Sequence, residues 1–145
     1  MFSEGKLLQA IELYTNAIRA NPKDDAVYVY LAQTQVFAGL YEEAQANAES
    51  ALLLNPNNAM AHAVLAWSLD FQGEVLAAEA AIKRSLELDP NNGIAHAYYV
   101  EILVDSYLSG VGTFDNIAKA AEESRVALAL APNTIEANRA RGYVL

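Results

Sequence analysis

The sequence predicts an all-α fold, a solenoid in which about seven helices pair into antiparallel hairpins. The first observation is the spacing of the prolines, because Pro22, Pro56 and Pro90 follow one another at intervals of 34 residues and Pro132 follows after 42. The second is an alanine twelve residues before each of these prolines. The third is a helical amphipathic pattern over nearly the whole length, without a credible pair of strands. Self-similarity at this period is typical of a stack of small units.

Each period divides into two predicted helices, helix A and helix B, which a glycine-containing corner joins. In the second period, Asp25–Ala38 is the predicted helix A, Gly39 and Leu40 form the corner, and Tyr41–Leu54 is helix B. The Asn-Pro-Asn-Asn run at 55–58 ends helix B and caps the next helix, because proline cannot continue a helix and asparagine is a good N-cap. The third period repeats this plan with Ala59–Gln72, Gly73 and Glu74–Leu88.

The repeat phase predicts a single domain of three full units between two half units. Counted from the prolines, both ends of the chain fall at the same point of the repeat, just before a corner. We therefore expect the chain to be a piece of a longer protein. The predicted parts are 1–22 as a helix B alone, 23–58, 59–92 and 93–132 as full units, and 133–145 as a helix A alone.

The two half units are complementary, which suggests head-to-tail association between copies of the chain. Helix Thr134–Leu145 of one copy and helix Lys6–Ala20 of the next would together form one hairpin. Such a contact is heterologous and can grow into filaments. Solenoid ends normally carry polar caps, and these are missing here. The alternative is that both ends are frayed or covered in another way.

The longer last period contains about eight extra residues, placed at 104–114, which equal about two helical turns. Helix A is predicted to extend to about Ser109, Gly110 and Gly112 to turn the chain, and Thr113 to cap helix B. Two interpretations stay open. The segment is either a tolerated loop insertion or a functional lip on a binding surface.

Composition narrows the classes of partner and chemistry. The formal charge is −9 with nine Lys and Arg residues, which disfavours nucleic acid and anionic membrane surfaces and is compatible with a basic or neutral partner. The absence of cysteine excludes disulfides, thiolate metal sites and cysteine nucleophiles. No apolar run is long enough to cross a bilayer. The opening residues lack the apolar stretch of a secretory signal, so the cytoplasm is the default expectation, although the compartment stays unknown.

The repeat resembles the tetratricopeptide repeat. That pattern asks for a large residue, Leu and a small residue in helix A, Gly at the corner, alanines in helix B and a closing Pro. The chain departs from it at the expected Trp, which is replaced by Tyr28, His62 and His96. The resemblance implies a right-handed superhelix whose concave surface, lined by one face of the A helices, holds protein ligands. Matching residues are Leu31, Ala32, Gly39, Ala44, Ala51 and Pro56 in one unit and Leu65, Ala66, Gly73, Ala78 and Pro90 in the next.

The groove face carried over from this resemblance is apolar with acidic residues along one side. Trp67 is the predicted central anchor, and Tyr30, Phe71 and Tyr98 are expected to be exposed beside it, because aromatic residues are the usual anchors of peptide interfaces. The acids would select Lys or Arg in the partner. The candidate partner-binding residues are Tyr30, Gln33, Phe37, Met60, Trp67, Asp70, Phe71, Tyr98, Glu101 and Asp105.

The predicted function is therefore a protein-interaction scaffold, and not an enzyme, with no cofactor and no metal. His62 and His96 occupy the same repeat phase on the packing stripe and are interpreted as structural. The acid pairs at 42–43 and 122–123 are interpreted as solvated surface charge. The Lys, Asn and Arg set that binds a carboxylate in one subclass of the family is absent. Two alternatives stay open, namely a docking or regulatory arm of a larger enzyme and a self-stacking structural element.

Overall fold

The computed structural model describes residues 3–144, which form eight α-helices and no strand. The all-α fold class is confirmed, with a helix count close to the predicted seven. The helices are α1 (Glu4–Ala20), α2 (Asp25–Phe37), α3 (Tyr41–Leu54), α4 (Ala59–Phe71), α5 (Val75–Leu88), α6 (Gly93–Leu108), α7 (Asp115–Leu130) and α8 (Ile135–Val144).

The helices form hairpins stacked in chain order. The pairs α2 with α3, α4 with α5 and α6 with α7 make the most extensive contacts, and each helix B also contacts the following helix A. The helices α2, α4, α6 and α8 have the position of helix A in the repeat and lie side by side, since α2 contacts α4, α4 contacts α6 and α6 contacts α8. The helices α1, α3, α5 and α7 are helix B. The A helices therefore line one common surface.

Helix ends follow the predicted turn chemistry. The side chains of Asn58 and Asn92 each accept a hydrogen bond from the backbone N–H three residues on, so they cap α4 and α6. The corner glycine Gly39 has φ +79°, a left-handed conformation that a side chain at Cβ would disfavour.

The segment between α6 and α7 differs from the prediction in one respect. Helix α6 extends to Leu108, close to the expected end. Thr113 does not cap α7, because Phe114 occupies the N-cap position and makes no side-chain capping bond. The carbonyl of Ser106 accepts hydrogen bonds from the N–H groups of both Val111 and Gly112, at 3.1 and 2.8 Å, and this tight turn shifts the helix start past Thr113.

Small residues let the two helices of each hairpin approach closely. Ala44, Ala48, Ala78 and Ala120, all on helices B, are fully buried, and such close packing is what the predicted alanine stripe requires. Ser85 lies in the same stripe and donates a hydrogen bond to the carbonyl of Ala59 at 2.7 Å. This hydroxyl therefore bonds α5 to α4 within one hairpin.

His62 and His96 each form a hydrogen bond to the loop that precedes their helix. Nε2 of His62 lies 2.9 Å from the carbonyl oxygen of Pro56, and Nε2 of His96 lies 2.7 Å from that of Pro90. Nδ1 of His96 also pairs with the carboxylate of Glu123. The interpretation of Glu123 as solvated surface charge is therefore wrong, because the carboxylate is mostly buried against His96.

We predict that Gly93→Ala destabilises the protein by about 1–3 kcal/mol, the usual cost of overpacking. A Cβ at this first residue of α6 would lie 2.6 Å from Cβ of Ala131, after the end of α7. Gly142→Ala is the matched control, since that helical glycine has no atom within 4 Å of the added carbon. Urea unfolding measures both variants, and equal midpoints would contradict the predicted clash.

Candidate functional site

The centre of the surface lined by the A helices is filled by the protein's own aromatic side chains. Trp67 is 1% exposed and Tyr98 is 0% exposed, so the expectation that both lie open in a groove is wrong. Their rings stack at 4.2 Å between centroids with 10° between planes, and Phe37 meets Trp67 edge-on at 5.1 Å. The rings that were expected to contact a partner protein therefore pack against one another.

Hydrogen bonds across the same surface connect all four A helices. Nε2 of Gln33 on α2 donates to the Tyr98 hydroxyl on α6 at 3.0 Å and to Oε1 of Glu136 on α8 at 3.2 Å. Nε1 of Trp67 on α4 donates to Oε2 of Glu101 at 3.2 Å. We call this set, completed by Arg139 below, the A-helix network. It joins helices separated by up to 103 positions in the chain.

Arg139 completes the network and was not predicted from the sequence. Its Nε lies 3.3 Å from Oε1 of Glu101, and its guanidinium carbon lies 5.7 Å and 5.5 Å from the ring centroids of Trp67 and Phe71. This basic side chain of α8 occupies the position expected for a partner's Lys or Arg. The sequence does contain a signal for its position on the groove face, because a step of 42 residues places Arg139 in the repeat phase of Ala97.

The predicted row of exposed acids is wrong for two of its three members. Asp70 is 7% exposed and Glu101 is 2% exposed. Burial and the nearby carboxylate of Asp105 raise the pKa of Asp70 to about 8. Burial also raises the pKa of Glu101 to about 7, although the Arg139 guanidinium acts in the opposite direction. Asp105 itself is half-buried.

One open part of the surface is a groove of about 480 Å³ bounded by α1, α2 and α8, which we call the end groove. Tyr30 is 52% exposed there, and its ring lies 5.9 Å from that of Tyr14 on α1. The walls are mainly apolar, with Lys6 and Glu136 as the charged residues. The complete lining is Lys6, Leu7, Ala10, Tyr14, Tyr30, Gln33, Thr34, Phe37, Thr134, Ile135 and Glu136.

The structure thus separates the ten candidate residues into groups. Tyr30, Gln33 and Phe37 line the end groove. Phe71 is partly exposed but stacks on Tyr41 at 4.7 Å with 2° between ring planes, away from that groove. Met60 is partly buried, and its sulfur accepts a hydrogen bond from Asn92 at 3.5 Å. The others, Trp67, Asp70, Tyr98, Glu101 and Asp105, belong to the filled centre.

Two further properties concern the described part of the chain. Within residues 3–144, no group of three or more His, Asp or Glu side chains is arranged to hold a metal ion. No helix in the same range combines the length and the apolar character needed to cross a bilayer.

We predict that Trp67→Ala destabilises the protein by about 3–5 kcal/mol, as expected for removal of a buried aromatic side chain. The lost contacts join α4 to α6 through ring stacking and a hydrogen bond. Chemical denaturation followed by circular dichroism measures the change. Phe114→Ala, at a side chain 73% exposed, is the control, and an equal effect of the two substitutions would contradict a core role for Trp67.

We predict that Asp70→Asn weakens the pH dependence of stability. The folded-state pKa of Asp70 is about 8, against 3.8 for an ordinary Asp, so the folded state binds more protons between these values and stability falls as the pH rises through that window. Glu101 acts in the same direction, between 4.5 and about 7. The stability gain of Asp70→Asn over the native chain should therefore grow from acid pH to about pH 8 and then level off.

Urea midpoints of both proteins across this range provide the measurement. The control is Asp115→Asn at an exposed position at the start of α7. The idea fails if the difference between Asp70→Asn and the native chain does not change with pH.

Comparisons with known proteins agree with this architecture. Two family models described as tetratricopeptide repeat match residues 1–68 and 61–92. No curated protein sequence matches the chain significantly.

Solved structures share the fold at low sequence identity. MamA is 22% identical with a TM-score of 0.66, over 97% of this chain and 77% of that protein. A thermophilic tetratricopeptide repeat protein of Thermus thermophilus is 22% identical with a TM-score of 0.72, over 97% of this chain and 72% of its own. A mutant O-GlcNAc transferase of Thermobaculum terrenum is 20% identical with a TM-score of 0.69, over 84% of this chain and 23% of that enzyme.

These likenesses show the fold and carry no activity over to the chain. The proline period, the stacked hairpins and the two matching family models lead to one conclusion: the chain belongs to the tetratricopeptide repeat family.

Proposed function

We propose that this chain is a protein-interaction scaffold that binds a segment of a partner protein in the end groove. Repeats of this family form interaction surfaces and are typically not catalytic. The observation that carries the proposal is Tyr30, a large aromatic side chain left half-exposed beside Tyr14 in a concave, mainly apolar site. Aromatic residues in such positions are frequent hot spots of binding.

The charge distribution supports a partner with an apolar anchor and a neighbouring Lys or Arg. The chain carries a formal charge of −9, so a basic segment would be attracted to it. Glu136 lies on the α8 wall of the groove and Lys6 on the α1 wall. A segment whose basic residue points toward α8 therefore fits better than one with the opposite direction.

A library of random 12-residue peptides displayed on phage tests the proposal, followed by affinity measurements on the selected peptides. We expect peptides with an apolar anchor and Lys or Arg to be enriched. We expect Tyr30→Ala to weaken their binding by about 10-fold or more, the range of a hot-spot residue. Phe114→Ala removes an aromatic residue that is more exposed than Tyr30 and lies outside the end groove, and it should leave binding unchanged.

Two results would overturn the proposal. One is the absence of any enriched peptide. The other is binding that responds to Phe114→Ala as much as to Tyr30→Ala, because the surface would then be nonspecifically adhesive.

A further inference from the structure

We infer that Asp70 and Asp105 hold a single proton between α4 and α6, and that release of this proton opens the centre of the A-helix surface around Trp67. Both acids lie in the filled centre described above. Neither of them lines the end groove, so this proton acts independently of the proposed function.

The carboxyl group of Asp70 is buried without a basic partner. Its Oδ1 is closed to solvent, and no N–H or O–H group within residues 3–144 donates a hydrogen bond to it. Arg139, the arginine of this layer, pairs with Glu101 instead, at 3.3 Å. A buried carboxylate without a donor or a counter-ion is costly, and this cost favours the neutral, protonated acid.

The group that faces Asp70 is the carboxyl group of Asp105 on α6. The two side chains are hydrogen-bonded to each other. Because an ionised carboxylate only accepts hydrogen bonds, two carboxyl groups bond to each other only when one of them carries a proton. Asp105 is half-buried and Asp70 is buried. The better solvated Asp105 therefore keeps the negative charge, and Asp70 donates its O–H.

The charges around this pair oppose a second ionisation. Helix α4 packs against α2, α3, α5 and α6, and among the described residues the charged groups that act on Asp70 are Asp105 and Glu101, both on α6. Glu136 and Arg139 on α8 act on Glu101. Burial, with the carboxylate of Asp105 next, raises the pKa of Asp70 to about 8. Loss of the proton to water leaves two adjacent carboxylates between α4 and α6, while Arg139 remains engaged with Glu101.

The bond between Asp70 and Asp105 lies one helical turn from the hydrogen bond of Trp67. Trp67 precedes Asp70 by three positions on α4, and Glu101 precedes Asp105 by four on α6, spacings that place each pair on one face of its helix. The Trp67 indole donates to Glu101 at 3.2 Å. The two bonds are therefore successive links between the same two helices, and repulsion at the first link weakens the second.

Opening depends on pH in one direction. The closed form binds one proton more than the open form between the ordinary Asp pKa of 3.8 and the folded-state pKa of about 8. The equilibrium constant for opening therefore rises by about tenfold per pH unit through this window and levels off above it. Because Asp105 is half-buried, it connects the pair to solvent, and the proton can leave without unfolding of the chain.

Hydrogen exchange of the Trp67 indole N–H, followed by NMR from about pH 5 to about pH 9, tests the inference. The chain has a single tryptophan, so one indole resonance reports the opening. The native chain is compared at each pH with Asp70→Asn, in which an amide N–H replaces the proton at every pH. We expect the ratio of the native rate to the Asp70→Asn rate to rise by about tenfold per pH unit and to level off above about pH 8. The control Asp115→Asn, at an exposed acid, should keep the native pattern.

Asp105→Asn distinguishes a shared proton from burial alone. In this variant an amide N–H donates to Asp70, which then needs no proton, so the rise of the native chain should disappear here as well. A rise that persists in full in Asp70→Asn or in Asp105→Asn would overturn the inference. The backbone amide of Ile82, a residue 0% exposed on α5, reports global unfolding. The same pH dependence at Ile82 as at Trp67 would also overturn the inference, because the whole chain would then open rather than the junction of α4 and α6.

Discussion

The contact between Trp67 and Tyr98 is the interaction on which the concave side of this protein depends. The two rings stack face to face between α4 and α6, and the Trp67 indole N–H is satisfied by Glu101 in the same buried layer. A buried polar group without such a partner would be costly. Stacking and hydrogen bonding therefore fix the approach of these two A helices together, and Gln33 and Arg139 then attach α2 and α8 to the same centre.

This closure decides which part of the A-helix surface stays open. A wide concave surface would expose Trp67, Tyr98 and the acids. In this chain they are buried instead, and their rings and polar groups contact other residues of the A-helix network. The stacked rings and the hydrogen bonds of the network hold the A helices together at the centre, and an accessible groove remains beside α1 and the first turn of α8. Family resemblance alone predicted an open surface one or two repeats further along, around Trp67 and Tyr98.

The helices and their order could be predicted because local signals determine them. Prolines after each helix B, Asn58 and Asn92 at the N-caps, and the corner glycines act within a few residues, and alanine at the A–B contact needs no knowledge of distant parts. Which side chains of the groove face are exposed and which are buried could not be predicted in the same way. Tyr30 and Tyr98 have the same repeat phase and similar chemistry, yet one is half-exposed and the other is fully buried.

The exposure of these two tyrosines differs because different A helices surround them. Which A helices come close enough to cover a side chain depends on how far the superhelix closes. Arg139 shows the same limit, since Glu101, Trp67 and Phe71, which it contacts, lie 38 and more positions away in sequence. The period places it on the groove face, but only the fold shows that it reaches Glu101.

Trp67 is the single tryptophan of the chain, and its indole lies beneath Arg139 and against Tyr98. The native protein consequently contains one indole, which can be excited selectively over the eight tyrosines and lies where the A helices converge. The wavelength of its emission maximum should shift when solvent enters that junction. It should not change when only the B helices change their conformation. The molecule thus has an optical sensor for opening of its concave side, without any added label.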